Sequence, residues 1–261
     1  MARTYVISGS ASGIGAETTR RLRDQGHTVV GVDLRNADVN ADLSTAEGRD
    51  QAVGEAIEAA NGSIDAVIAC AGVSLFEPLT AKVNYFGAVR LLAGLRPILA
   101  KSDAPRAAAI SSAATLQSPD PALVEAMLAD DEVLSVELAQ RFTDSGPFGG
   151  YVIYPSSKMA LARWIRRQCI TPEWAGCGIP LNAVGPGVVK TAMTTELLAT
   201  KESTEMVDAA MPMPLNYHMG AEAVAELLIY LTSEANTHVT GQLIYIDGGF
   251  DAVTRGDNIW S

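Results

Sequence analysis

Gly9-Ser10-Ala11-Ser12-Gly13-Ile14-Gly15 follows the β-branched run Thr4–Ser8 and leads into a helical pattern over Gly15–Gln25 that begins in earnest near Ala16. Glycines at a strand-to-helix turn let the backbone bend tightly and approach a pyrophosphate, whose charge then rests on the free N–H groups of the helix N-terminus. Gly9, Ser12, Gly13, Ile14 and Gly15 are therefore candidate cofactor contacts. The spacing G-x-x-x-G-x-G differs from G-x-G-x-x-G, and no Lys-Ser/Thr pair closes it, so it predicts a dinucleotide rather than a nucleoside triphosphate. Asp33 ends the second strand 18 residues after Gly15, with Leu34 beside it. A carboxylate there accepts hydrogen bonds from ribose hydroxyls and repels a 2′-phosphate, which predicts NAD over NADP. Arg35 is the nearby group that argues the other way.

Working outward, short apolar runs alternate with longer Ala/Leu-rich stretches of helical period, the pattern of repeated βαβ units around a parallel sheet. Seven strands are expected, at Thr4–Ser8, Thr28–Asp33, Val39–Asp42, Ile64–Cys70, Ala107–Ser112, Pro180–Val184 and Gln242–Ile246. Helices are expected near Gly15–Gln25, Thr45–Ala60, Leu79–Lys101, Tyr154–Arg167 and Ala221–Thr232. Gly26 stands where a C′ glycine closes the first, and Ser44-Thr45-Ala46-Glu47 reads as a capping box. The fold class is α/β, a Rossmann-type doubly wound sheet in a single domain over 1–261. Two segments break the rhythm. Residues 117–147 carry two amphipathic patterns, Pro121–Ala129 and Glu132–Phe142, with no strand between them, and read as a helical insertion. Residues 192–219 hold five of the eight methionines, which suggests an adaptable apolar lid over a substrate.

Charge narrows the function classes. The chain has 261 residues with 19 Lys+Arg against 30 Asp+Glu, a formal net charge of −11 and a pI near 4.7. Such a surface repels phosphate backbones and anionic headgroups, so neither a nucleic acid nor a membrane is an expected partner. No apolar run is long enough to span a bilayer and Met1-Ala2-Arg3 leads straight into a strand, which predicts a cytoplasmic protein. Cys70, Cys169 and Cys177 lack metal-ligand spacing and the three histidines are far apart in sequence, so no metal and no disulfide framework are expected.

Tyr154-Pro155-Ser156-Ser157-Lys158 places a phenol and an ammonium four residues apart on one helix face. A cation near a phenol favours the phenolate and brings a weak base toward working range. Tyr151 has Pro155 at the matching position, so Tyr154 is the stronger candidate.

With these residues in order, the chain resembles the short-chain dehydrogenase/reductase family over nearly its whole length. The resemblance rests on Gly9, Gly13 and Gly15, Asp42-Leu43, Ala71-Gly72, Asn84, Ser111-Ser112, Tyr154 with Lys158, Pro186-Gly187 with Thr191, and Asp247-Gly248-Gly249. It implies Tyr154 as acid/base, Lys158 as the residue that lowers its pKa and holds the nicotinamide ribose, Ser112 on the reacting oxygen, and Asn84 supporting a proton-relaying water. Asp42 and Leu43 would flank the adenine, Ala71 and Gly72 would line the cleft, and Pro186, Gly187, Val189 and Thr191 would surround the nicotinamide. Ser111 remains a rival to Ser112, Asn84 a residue that kinks or caps its helix, and Thr191 a helix cap.

Two departures stand out. Cys70-Ala71-Gly72 replaces the family's usual Asn-Ala-Gly, and 42 residues separate Ser112 from Tyr154, far more than is usual. The insertion, the Cys-Ala-Gly variation, the run Ala41–Arg49, the segment Val83–Gly87 and the ending Ile246–Val253 resemble a bacterial subgroup, the 3α-hydroxysteroid dehydrogenase/carbonyl reductases. That likeness implies a bulky alicyclic or aromatic carbonyl substrate, with Leu75, Phe76, Ala114 to Leu116, Pro186 to Val188, Met193, Leu197 and Met206 as its wall. An acyl-thioester ketoreductase is the enzymatic alternative and a non-enzymatic dinucleotide sensor the remote one. A homo-oligomer, dimer or tetramer, is expected; the insertion puts the family's usual helix-pair interface, Leu79–Lys101 with Tyr154–Arg167, in doubt.

Overall fold

In the computed structural model, which describes residues 2–215 and 218–260, the glycine turn joins β1 (Thr4–Ser8) to α1 (Gly13–Asp24). β2 (Thr28–Asp33) and β3 (Val39–Asn40) follow, then α2 (Ala46–Ala59) and β4 (Ala66–Ala69). Next come α3 (Leu79–Ala81), a π-helical turn Lys82–Gly87 and α4 (Ala88–Leu99), which run on without a break. β5 (Arg106–Ile110) leads through a 3-10 turn, Ala113–Leu116, into α5 (Pro121–Leu128) and α6 (Glu132–Asp144). A second 3-10 turn, Gly149–Val152, opens α7 (Ile153–Gln168), and β6 (Leu181–Pro186), β7 (Val189–Lys190), α8 (Lys201–Ala210), β8 (Met219–Gly220), α9 (Ala221–Thr232), β9 (Leu243–Ile246) and α10 (Phe250–Arg255) complete the order.

The main sheet has seven parallel strands in the order β3-β2-β1-β4-β5-β6-β9, with Val6 opposite both Val30 and Val67. Its strands are buried on both faces, hence their continuous apolar runs. Leu22 of α1 and Val224, Leu228 and Leu231 of α9 fill one face; α2, α4 and α7 cover the other. The chain leaves β1 first toward β2 and β3, then crosses back to β4. That reversal opens a crevice at the carboxyl ends of β1 and β4, which is where ligands bind in open α/β sheets.

All seven expected strands are present, most a residue or two shorter or shifted. α1 begins at Gly13, earlier than expected, because the turn is already helical there. Gly26 has φ +83 and closes α1 as expected. The capping box at Ser44 is corrected: Thr45 is the N-cap and accepts from the Gly48 N–H at 3.0 Å, so the helix starts one residue later and Glu47 closes no box. β7, β8 and α8 had no counterpart in the sequence reading. Two-residue strands carry no periodic signal, and α8 has no buried residue to impose one.

The insertion is the expected helix pair. Leu123, Val124, Met127 and Ala139 are buried and join the core beneath α4 and α7. α5 lies along α7, with Glu125 bridging Arg163 at 2.7 Å, and Asp130 pairs with Arg90 of α4 at 2.6 Å. Arg49 of α2, 4% exposed, holds Glu132 with Nη2 at 3.0 and 2.7 Å. Glu132→Ala leaves that guanidinium buried without its carboxylate. Because Glu132 is partly solvated, the expected loss is about 2 kcal/mol rather than the larger cost of a fully buried pair, read as a lowered urea midpoint with unchanged slope.

Candidate functional site

β1 delivers Gly9 at the centre of the sheet edge, where φ +69 and a virtual Cβ only 2.8 Å from Ala71 N exclude a side chain. Gly15 is equally constrained, since a Cβ would sit 2.1 Å from Gly9 O. The turn therefore folds flat against β4. Ser12 is the N-cap of α1 and its side chain makes no capping bond, so its hydroxyl and the first helical N–H groups are open to an anion.

The turn forms one wall of a cleft of about 490 Å³. At its far end stands Asp33, whose Oδ2 accepts the Ala11 N–H at 3.0 Å and Oδ1 the Leu34 N–H at 2.7 Å. Each oxygen keeps acceptor capacity, since a carboxylate takes about four hydrogen bonds. Leu34, Asp42 and Leu43 line the same end, Asp42 held by the Ser44 N–H at 2.9 Å.

Ala71 and Gly72 line the middle. Cys70 sits beside them, and burial pushes its thiol up to about 12, so it is an inert filler where the family usually has an amide. Ser8 Oγ takes the N–H groups of both Cys70 and Ala71, at 3.1 and 3.2 Å. Asn84 is fully buried on the π turn. Its Oδ1 accepts the Val73 N–H at 2.8 Å while its Nδ2 donates to Val73 O at 2.9 Å and Ser157 Oγ at 3.2 Å. Helix distortion and side-chain docking thus coincide at Asn84, as is frequent for π turns at functional sites.

β5 and α7 bring the remaining groups together. Ser111 Oγ donates to Lys158 O at 2.9 Å and is spent on structure. Ser112 Oγ accepts the Ala114 N–H at 3.0 Å and keeps its proton free, and the hydroxyl acts on the Tyr154 phenol in the direction that favours the phenolate. Ser112 is the serine that faces the tyrosine. Lys158 is 2% exposed; its Nζ donates to Ile110 O at 2.9 Å and lies 5.7 Å from the centre of the Tyr154 ring.

Burial raises the Tyr154 phenol above its ordinary value, against the smaller opposite pull of Ser112. Burial also pushes the Lys158 ammonium down to about 8. In the free cleft burial thus pushes both groups toward their neutral forms.

Pro186 and Gly187 at the end of β6, Val189 of β7 and Thr191 complete the lining. The Thr191 N–H donates to Thr194 Oγ1 at 3.0 Å, so Thr191 both opens a 3-10 turn, Ala192–Thr194, and faces the cleft. The expected site residues all line this one cleft except Asn84, which lies behind it. The sequence reading missed Val73, Leu79 and Val83, apolar residues that only the tertiary fold brings here, and Thr194, whose spacing from Thr191 was a legible cue. The expected substrate wall is assembled only in part. Pro186, Gly187 and Met193 line the cleft; Ala114, Thr115 and Val188 are buried in the protein; Leu116 is half-buried away from the cleft; Leu75, Phe76, Leu197 and Met206 are exposed outside it. Asn216 and Tyr217 of the 192–219 segment lie outside the described residues.

Residues 9–251 match the family model described as enoyl-(acyl carrier protein) reductase. The chain is 36% identical over 255 residues to 3-alpha-hydroxysteroid dehydrogenase/carbonyl reductase of Comamonas testosteroni, covering 96% of this chain and 97% of that one. The chain belongs to the short-chain dehydrogenase/reductase family. It is an oxidoreductase. A coniferyl-alcohol dehydrogenase of Pseudomonas sp. is 30% identical over 258 residues, covering 95% and 96% of the two chains. The 3-alpha-hydroxysteroid dehydrogenase from Pseudomonas sp. B-0831, solved as a complex with NADH, superposes with a TM-score of 0.88 at 36% identity, over 97% of this chain and 99% of that one. For this short-chain dehydrogenase/reductase, no group of three or more His, Cys, Asp or Glu able to hold a metal ion occurs among the described residues. No helix among them is long and apolar enough to cross a membrane.

Proposed function

We propose that this chain is an NAD(H)-dependent enzyme interconverting a secondary alcohol and a ketone on a bulky apolar substrate, alicyclic, steroid, terpenoid or aromatic. One observation carries the reading: a single cleft runs from the glycine turn and Asp33 to Ser112 and Tyr154, with buried Lys158 beside them. The cleft fits a dinucleotide, with Ser12 and the α1 N-terminus open to the pyrophosphate and Asp33 and Asp42 at the adenosine end. The NADH held by the Pseudomonas sp. B-0831 enzyme supports the cofactor class.

When bound, the nicotinamide accepts or supplies the hydride. Tyr154 takes the alcohol proton in oxidation and returns it to the forming alkoxide in reduction. Ser112 accepts the Ala114 N–H and keeps its single proton, which it donates to the same oxygen, where charge develops. Two of the three Lys158 protons are left for the nicotinamide ribose hydroxyls once Ile110 O has one. Asn84, locked onto Val73, holds the π turn that supports a proton-relaying water.

The apolar cleft and the relatives' names support the substrate class, and initial rates with NAD on a 3α-hydroxysteroid, a monoterpenol and an aryl secondary alcohol test it. The family model's name favours an acyl-thioester substrate, but a net charge of −11 opposes docking of an acidic carrier; turnover confined to acetoacetyl thioesters would replace the reading with that one. Asp33→Ser removes the carboxylate facing a 2′-phosphate. The ratio of kcat/KM for NAD over NADP is expected to fall about a hundredfold, the scale of relieving a like-charge contact.

The segment 192–219 is proposed as the substrate lid: α8 has no buried residue and Met206 is 69% exposed, while the segment is tied to the remainder where the Leu215 N–H donates to Gly248 O at 3.0 Å and the Met219 N–H to Val188 O at 3.3 Å. We carry a cytoplasmic homo-oligomer as part of the same proposal. With α5 lying on α7, its contact would use another face than α4 with α7; light scattering that found only monomer would end that part.

A further inference from the structure

Ser112 works as a donor only if the turn that carries it is held still, and the structure holds it from an unexpected distance. Thr115, 3% exposed and three residues further along the 3-10 turn, gives its N–H to Ser112 O at 3.2 Å and its hydroxyl proton to the same oxygen at 2.9 Å. Thr115 Oγ1 also lies 2.8 Å from Tyr245 Oη. A threonine hydroxyl has one proton and here it is spent on Ser112 O, so Tyr245 must be the donor to Thr115. The chain reads Tyr245 Oη–H to Thr115 Oγ1–H to Ser112 O, across 130 residues of sequence.

Tyr245 lies on β9, the edge strand of the main sheet, and reaches Thr115 across Gly185, its register partner on β6. A Cβ at position 185 would sit 2.7 Å from the Tyr245 ring, so the glycine provides the passage the ring occupies. Arg255 stands over the ring at 5.4 Å and is itself held by Asp251. Burial raises the Tyr245 phenol, against the smaller pull of Thr115, and so keeps it a donor.

The geometry points to Tyr245 as a positioning residue for the reaction, acting through Thr115 to fix the turn that aims Ser112 at Tyr154. It does not line the cleft. The inference rests on the proposed role of Ser112, and it makes the edge strand, remote from the glycine turn, part of the apparatus that sets turnover.

Tyr245→Phe removes only the terminal hydroxyl and Thr115→Val only the middle one. Each is expected to lower kcat about tenfold, the scale of about 1.4 kcal/mol, and the double variant to be no worse than either, since both break one chain. Thr115→Ser, which keeps the hydroxyl, is expected near the parent rate. Fluorescence titration with NADH should give an unchanged Kd, and the rise of the oxidation rate with pH should move to higher pH, because a displaced Ser112 favours the phenolate less. Parent kcat in Tyr245→Phe beside an inactive Ser112→Ala overturns the inference alone. Full activity in Ser112→Ala overturns the role of Ser112 and the inference with it. A loss in Tyr245→Phe matched by an equal loss of NADH affinity would make the residue merely structural and likewise overturn it.

Discussion

Tyr154→Phe is expected to lower kcat about a thousandfold in both directions, within the range of a general acid–base contribution, while leaving NADH affinity and Tm near those of the parent. The substitution removes one oxygen and leaves the ring on α7 in place. The pH dependence of the parent enzyme follows from the same oxygen. Burial holds the phenol above its ordinary value in the free cleft, so near neutrality Tyr154 is a proton donor ready for reduction and scarce as a base for oxidation. Oxidation is therefore expected to gain in kcat/KM as pH rises and reduction to lose, and the Phe variant to lose both slopes. A Phe variant with parent kcat would remove Tyr154 from the chemistry.

The fold was legible because its signals are local: β-branched runs, helical period, and glycines at a strand-to-helix turn where Gly9 and Gly15 have no room for a side chain. The cleft was legible because the same turn fixes where the sheet opens. Three things were hidden, each for a physical reason. Val73, Leu79 and Val83 are ordinary apolar residues until the crossover from β4 brings them to the cleft. The substrate wall was read as a set of apolar residues near the active site in sequence, yet Thr115 is buried beneath the site and Leu197 and Met206 stand in solvent, because apolar character does not say which surface a side chain meets. Electrostatics is the third. Spacing places Lys158 on the same helix face as Tyr154 but does not tell in what dielectric, and burial pushes both groups toward their neutral forms.

That burial makes Lys158→Met the second large prediction, and the two consequences have opposite signs. The ammonium is buried and receives one carbonyl, Ile110 O, as partner. Its folded pKa of about 8 lies below the ordinary 10.5, so between those values the unfolded chain binds more protons than the folded one. Stability from this group thus rises with pH across that window, and below about 8 the native state bears the full cost of the buried charge, on the order of 3 kcal/mol. Methionine keeps an unbranched stem and carries no charge, losing in exchange a hydrogen bond worth about 1 kcal/mol. The cofactor-free variant is expected to melt a few degrees above the parent at pH 7, with the gain fading as pH approaches 10.5. Turnover is expected to fall at least a hundredfold and NADH affinity to weaken, since no other side-chain cation lines the cleft among the described residues. A residue whose removal stabilises the fold and abolishes the activity is one the fold holds at a cost, and under the proposed role on the nicotinamide ribose the two protons that Ile110 leaves free would recover it. A variant less stable than the parent at pH 7 would show instead that the ammonium stabilises the free enzyme, and would remove Lys158 from the account of why burial wins in this cleft.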